Sequence, residues 1–170
     1  MTSPQGRRVR DSATDMAHIV LPGHANVHGS VLGGTVMHWI DMAAAVVANR
    51  HSRRPVVTAA IDDMAFLAPI LVGELAMIRA RITLVDRSSM EVRVEVDSEN
   101  LLTGERRHTG TAYLTFVALD AVTRRPVAVP PLLLETDEER AEHALGLERR
   151  RLRLERRKAR EAADRAAGVR

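Results

Sequence analysis

The residues with the clearest chemical potential are gathered in one run, NVHGSVLGGTVMHWID, from Asn26 to Asp41. Asp41 is the only acidic residue between Val31 and Val57, in a stretch that reads as a helix apolar almost all the way round. An unpaired carboxylate in apolar surroundings costs several kcal/mol, so it shifts its pKa or finds donors. A carboxylate perturbed in this way is what general-base chemistry uses. A structural hydrogen bond or ion pair, for example with His38 one turn earlier, fits the same pattern equally well. Gly33 and Gly34 fall where the helix should begin. Bare amides at a helix N-terminus point at anything negative, and glycine lets a substrate oxygen come close. One such donor to a developing oxyanion is worth about 3–4 kcal/mol; the competing reading of the pair is a tight turn with close packing. Asp41 lies roughly 10 Å along the helix from these amides. That is long for one reacting centre, so a neighbouring subunit is expected to supply part of the site.

Other chemistries drop out. The chain has no cysteine, which removes disulfides, cysteine-ligated zinc and thiol nucleophiles. It lacks a nucleophile elbow, a Walker loop, a dinucleotide-binding Gly-x-Gly-x-x-Gly and a His-Glu-x-x-His pair. His24 and His28 are four apart, but they sit in a glycine-broken loop without a carboxylate partner and are expected to be loop histidines, not metal ligands. The net charge is +3, and residues 136–170 carry eleven Lys/Arg against eight Asp/Glu, so the remainder is close to neutral. With four aromatic residues (Trp39, Phe66, Tyr113 and Phe116), no nucleic-acid-binding face is expected on the globular part. No signal-peptide pattern and no run near 18 apolar residues occurs, so a cytoplasmic protein without membrane contact is expected.

These residues must be held by the surrounding elements. In LAMIRARITLV, Ile78, Ala80, Ile82 and Leu84 share one face; in SMEVRVEVD, Met90, Val92, Val94 and Val96 do the same. That period of two predicts two strands joined by a hairpin at residues 86–89, with outward charges of opposite sign facing each other. TAYLTFVAL and VVTAAIDDMAF are further strands, and MAHIVLP is an extended segment. A helix apolar on all sides needs cover, so an α+β domain with an antiparallel sheet wrapped around one central helix is expected. Residues 1–15 are expected to be a flexible arm, residues 16–131 the domain, and residues 132–170 a charged helical tail. Trp39, Met37 and Met42 are expected in the core or at an interface, with an acyl-lining role as the minor alternative.

In order, the run above, then ANRH, VVTAAIDDMAFLAPI, RSSMEVRVEV, and TFVALD closing with VPP resemble the hotdog-fold acyl-CoA thioesterases, in the YciA-like and cytosolic brain-type branch. The resemblance covers residues 16–157. It departs from many relatives at Ala65, where they have asparagine, and at the extra acid Asp63. The family implies five or six antiparallel strands around a long helix, and hydrolysis of acyl-CoA to free acid and CoA without a cofactor. It also implies homodimers with interfacial sites, commonly built into trimers of dimers. Its catalytic acid falls on Asp41, as general base or as nucleophile, and its asparagine on Asn26, with oxyanion amides near Gly33 and Gly34. Substrate or CoA contacts are expected at His28, Arg50, His51, Arg87, Ser88 and Ser89, the last five meeting phosphates, with solvated turn residues as the alternative. Two other functions are a non-catalytic acyl-CoA sensor with a basic tail and a hotdog dehydratase pairing His28 with Asp41.

Overall fold

The computed structural model describes residues 5–168. Strands β1 (Arg7–Arg8) and β2 (Thr14–Ile19) flank a one-turn helix α1 (Val9–Ser12). The central helix α2 (Gly33–Ser52) is followed by β3 (Val56–Phe66), β4 (Leu75–Val85), β5 (Ser89–Glu99) and β6 (Arg106–Ala118). A short β7 (Leu132–Leu133) leads into a long helix α3 (Asp137–Ala166). The main sheet is antiparallel throughout, with strand order β2-β4-β5-β6-β3.

The period of two in β4 and β5 does what it should. Ala76, Ile78, Ala80, Ile82, Met90, Val92, Val94 and Val96 are all at most 2% exposed, on the face turned to α2. The hairpin closes with the Asp86 amide donating to the Ser89 carbonyl at 2.9 Å. Its register brings Arg79 opposite Glu95, as expected, but sets Arg81 opposite Arg93. The like charges diverge: Arg81 reaches Asp15 at 2.7 Å, and Arg93 reaches Glu95 at 2.6 Å. A register shift between Ile82 and Leu84 turns Leu84 to the other face. A bulge breaks strict alternation in this way.

The sheet curls around one side of α2. Val36, Ile40, Ala43, Ala44, Val47, Ala48 and His51 fall at helical spacing and are at most 3% exposed. The opposite side of α2 is open in the single chain: Met37 is 42% and Met42 49% exposed. So the helix is not enclosed on all sides by its own sheet, whereas Trp39 (7% exposed) belongs to the core.

The N-terminal residues differ from the expected arm. Beyond residues 1–4, which lie outside the described part, β1 pairs parallel with β7, and the Arg7 amide donates to the Pro131 carbonyl at 2.9 Å. Val9 is buried in the core, and β2 begins at Thr14 against Ala80. Burial of Val9 and a long-range strand pair hold what a polar composition suggested was free. The side chain of Asp63 is also outside the described residues.

Helix α3 starts at a reciprocal cap, in which Thr136 Oγ1 accepts from the Glu139 amide at 3.2 Å and Glu139 Oε2 accepts from the Thr136 amide. It then lies on the outer face of the sheet. A Cβ at Gly146 would stand 3.0 Å from Glu91 Oε1 and 3.2 Å from Leu84 Cβ, so glycine permits this close approach. Arg149 donates to Glu91 Oε1 at 2.8 Å and to Glu142 at 2.7 Å, and its guanidinium stacks over Tyr113 at 3.8 Å.

Candidate active site

Helix α2 begins at Gly33 without a side-chain cap. The Leu32 carbonyl accepts from the Thr35 and Val36 amides, at 2.9 and 3.2 Å. The amides of Gly33 and Gly34 are therefore the first-turn donors left to an outside acceptor. Adding a Cβ at Gly34 would meet nothing within 4 Å, while one at Gly33 would touch the Phe66 ring at 3.4 Å. Beside Gly33 opens a cleft of about 340 Å³ between α2 and the end of β3, walled by Val36, Ile40, Met64, Phe66 and Ile70. Ala65, the departure noted in the sequence, also lines it. The apolar space thus runs under the start of the helix; Met37 and Met42 do not line it.

Asn26 sits in the loop before the helix and organises a turn. Its Oδ1 accepts from the His28 amide at 2.8 Å, and its Nδ2 donates to Ser30 Oγ at 3.0 Å. Gly29, at φ +77°, supplies the left-handed residue that this turn needs. His28 is exposed, and its backbone, not its ring, is what the turn uses.

Asp41 lies two turns along α2, half-buried on the side of the helix away from the sheet's centre. Its partner was not foreseen: Thr58 on β3 donates its hydroxyl to Asp41 Oδ1 at 2.7 Å. No ion pair involves Asp41 among the described residues, and His38 is exposed. Thr58 is a lone hydroxyl in an otherwise apolar run, and no local sequence signal ties it to a residue seventeen positions earlier. Within one chain, no hydrogen bond joins Asn26 or His28 to Asp41. The amides stand at the start of α2, with Asn26 in the loop before it, and Asp41 lies about 12 Å further along the helix from Gly33 by its rise.

One expected CoA contact is corrected. His51 is fully buried, and its Nε2 donates to the Pro130 carbonyl at 2.9 Å; burial holds its pKa below the ordinary 6.5. It stands one turn after Val47 on the buried stripe, which is the signal that could have placed it. Arg50 braces the fold: its Nη1 donates to the Ala13 carbonyl and to Thr14 Oγ1, both at 2.9 Å, and its own carbonyl accepts from Arg7. Arg87, Ser88 and Ser89 do lie at the β4–β5 turn, with Arg87 exposed and the Ser88 carbonyl accepting from the Ala118 amide. His24 accepts at Nδ1 from the Leu21 amide and meets the Trp39 ring edge-on at 5.2 Å, while His18 stacks on the same ring at 4.5 Å.

A curved antiparallel sheet around one helix is the hotdog arrangement that the sequence resemblance implied, here with an apolar cleft ending at that helix's bare amides. Comparison with known proteins agrees. Residues 28–105 match the family model described as the thioesterase superfamily. The chain is 39% identical to the uncharacterized acyl-CoA thioester hydrolase YkhA of Bacillus subtilis, over 99% of this chain and 98% of that one. Among solved structures it resembles a hexameric acyl-CoA thioesterase (TM-score 0.86, 38% identity, 89% and 97% of the two chains). It also resembles an acyl-CoA hydrolase from Staphylococcus aureus in complex with butyryl-CoA, CoA and CoA disulfide (TM-score 0.82, 33% identity, 95% of each chain). Against longer relatives, such as mouse acetyl-coenzyme A thioesterase at 34% identity, the chain spans only 25% of their length. The chain belongs to the thioesterase superfamily, among its acyl-CoA thioester hydrolases. It is accordingly a hydrolase of acyl-CoA thioesters. No helix among the described residues is long and apolar enough to cross a membrane.

Proposed function

We propose that the acyl chain of the substrate enters the cleft beside Gly33 and that its thioester carbonyl rests on the amides of Gly33 and Gly34. The observation that carries this reading is the meeting of an apolar cleft with an uncapped helix N-terminus. Asp41 removes a proton from water as the water attacks the carbonyl carbon. The tetrahedral oxyanion is held by the two amides, and its collapse breaks the C–S bond. The proton returns from Asp41 to the departing sulfur, giving free acid and CoA. Thr58 positions the acid: by occupying Oδ1, it leaves Oδ2 to face water. Direct attack by Asp41 to form a mixed anhydride uses the same atoms and is the second form of the mechanism.

A second copy of the chain completes the site. Asn26 and Asp41 take separate partners in one chain, so Asn26 of one subunit orients the water or the thioester above Asp41 of the other. The exposed Met37 and Met42 on α2, with Ile61 on the edge strand β3 (44% exposed), provide an apolar face for that copy. Three such dimers would make a hexamer, the number of subunits named for one relative. Alanine mutants of the Staphylococcus aureus enzyme replace an asparagine, an aspartate and a threonine spaced fifteen and seventeen residues apart. Asn26, Asp41 and Thr58 have the same types and spacings. The test is hydrolysis of a panel from acetyl- to palmitoyl-CoA with free CoA detected. Wild type should turn over at least one chain length, and Asp41→Ala should lose at least about 10²-fold while staying folded. An Asp41→Ala protein as active as wild type would remove Asp41 from the mechanism.

A further inference from the structure

The loop before α2 leaves the carboxamide of Asn26 very little freedom. Asn26 Oδ1 accepts from the His28 amide at 2.8 Å, and the Ser30 amide points at the same oxygen from 3.4 Å. A carbonyl oxygen has two lone pairs, so these two backbone donors leave it no open acceptor site. Asn26 Nδ2 carries two N–H groups, and one of them donates to Ser30 Oγ at 3.0 Å. The other N–H has no partner among the described residues. Turning the carboxamide over would aim its N–H groups at two backbone N–H groups, so the chain itself fixes which end is which. The one polar group that Asn26 has to spare is therefore a donor.

Ser30 is what selects the plane of that carboxamide. The last torsion of an asparagine side chain is soft, with no sharp staggered wells. The Ser30 hydroxyl grips both ends of the group, 3.0 Å from Nδ2 and 3.3 Å from Oδ1. Ser30 is itself held on both sides. Its carbonyl accepts from the Asn26 amide at 2.8 Å, and it forms an antiparallel bridge with Leu71. A second bridge joins Ala25 to Val31 across the base of the loop. The loop is also tied to the helix start, because the His24 carbonyl accepts from the Leu32 amide at 2.9 Å. Asn26 thus belongs to the same hydrogen-bonded unit as the amides of Gly33 and Gly34.

We infer that Ser30 is a positioning residue: it fixes Asn26 so that its free Nδ2–H donates to the thioester carbonyl oxygen, and Asn26 does not accept a hydrogen bond from the attacking water. The inference rests on the hydrolytic reading above and narrows it. One subunit then supplies every donor to the oxyanion, two amides and one carboxamide N–H, and the other subunit supplies Asp41 as the sole proton acceptor.

Two substitutions separate donor from acceptor. Asn26→Asp keeps an oxygen for the His28 and Ser30 amides but puts a second oxygen where the free N–H was. It should stay folded and lose about 10²–10³-fold in kcat; an acceptor facing water would survive this change. Ser30→Ala should lower kcat by about tenfold with KM little altered, and Ser30→Thr, which retains the hydroxyl, should regain most of it. Full activity in Asn26→Asp or in Ser30→Ala overturns the inference, and so does an equal loss in Ser30→Ala and Ser30→Thr. A readout without turnover comes from labelling the three asparagines with nitrogen-15. On binding a ketone analogue of acyl-CoA, in which CH₂ replaces the thioester sulfur, one Asn26 side-chain proton should shift downfield, in Asp41→Ala as in wild type. An unmoved Asn26 signal with the analogue bound overturns the donor role, whereas an active Asp41→Ala protein removes only the hydrolytic assignment of Asp41.

Discussion

The hydrogen bond from Thr58 to Asp41 ties a residue with little local signal to the one with the most. Removing one hydrogen bond to a charged group is worth about 1.5–3 kcal/mol. Thr58→Val should therefore lower kcat by roughly tenfold to a hundredfold with little change in KM, and Thr58→Ser should restore most of it. Steady-state kinetics on the three proteins checks this; equal loss in Ser and Val variants would mean that packing, not the hydroxyl, matters. Gly34 offers a cleaner separation of fold from function. A methyl there meets nothing within 4 Å of the chain, and alanine favours helix by up to about 1 kcal/mol. Gly34→Ala should thus unfold in urea at the same or higher concentration while kcat/KM falls, because the methyl group intrudes on the place of the oxyanion. His51 makes a stability statement. Its pKa is lowered by burial, so the native state binds fewer protons than the unfolded chain, and stability rises with pH. The contribution is complete above the ordinary value of 6.5 and is lost as pH falls below it. Urea midpoints between pH 8 and pH 5 should decline on the acid side, and His51→Leu should flatten that slope.

The elements differ in how plainly the sequence announced them. Strands β4 and β5 were legible because alternation is a local property and their inner faces are wholly apolar. Leu84 was extrapolated onto the same face, but the bulge beside it turned it outward, and no local pattern marks a bulge of that kind. The helical character of α3 was legible in its charged composition, whereas its docking on the sheet was not. That docking depends on Glu91, a residue that alternation alone would place in solvent. Glu91 is 1% exposed at its side chain and relies on Arg149. Arg149→Ala would leave the buried Glu91 carboxylate with only the Thr83 hydroxyl at 2.8 Å and Arg153 at 3.9 Å, which is destabilising by about 3 kcal/mol. Denaturant unfolding should show a loss of that size; a loss under about 1 kcal/mol would mean that the pair behaves as a surface one. Arg7–Arg8 was read as part of an arm because its partner, Leu132–Leu133, is more than a hundred residues away.

At the scale of the molecule, the single chain leaves an apolar strip along Met37, Met42 and Ile61 and a site whose parts are about 12 Å apart along the helix. A symmetric partner addresses both features. The types and order of Asn26, Gly33, Gly34 and Asp41 were visible in the sequence. A division of the site between subunits was suggested by helical rise and by the family resemblance, and Thr58 became visible only once β3 was laid beside α2. The most direct measurement of the central claim mixes two inactive proteins, Asn26→Ala and Asp41→Ala, under conditions that exchange subunits. If each site takes Asn26 from one chain and Asp41 from the other, a mixed dimer holds one intact site and one doubly altered site. Random exchange in a two-fold dimer then returns activity to about a quarter of wild type. Activity that stays at the level of the separate variants, with mixed dimers demonstrated by mass, would contradict the shared site.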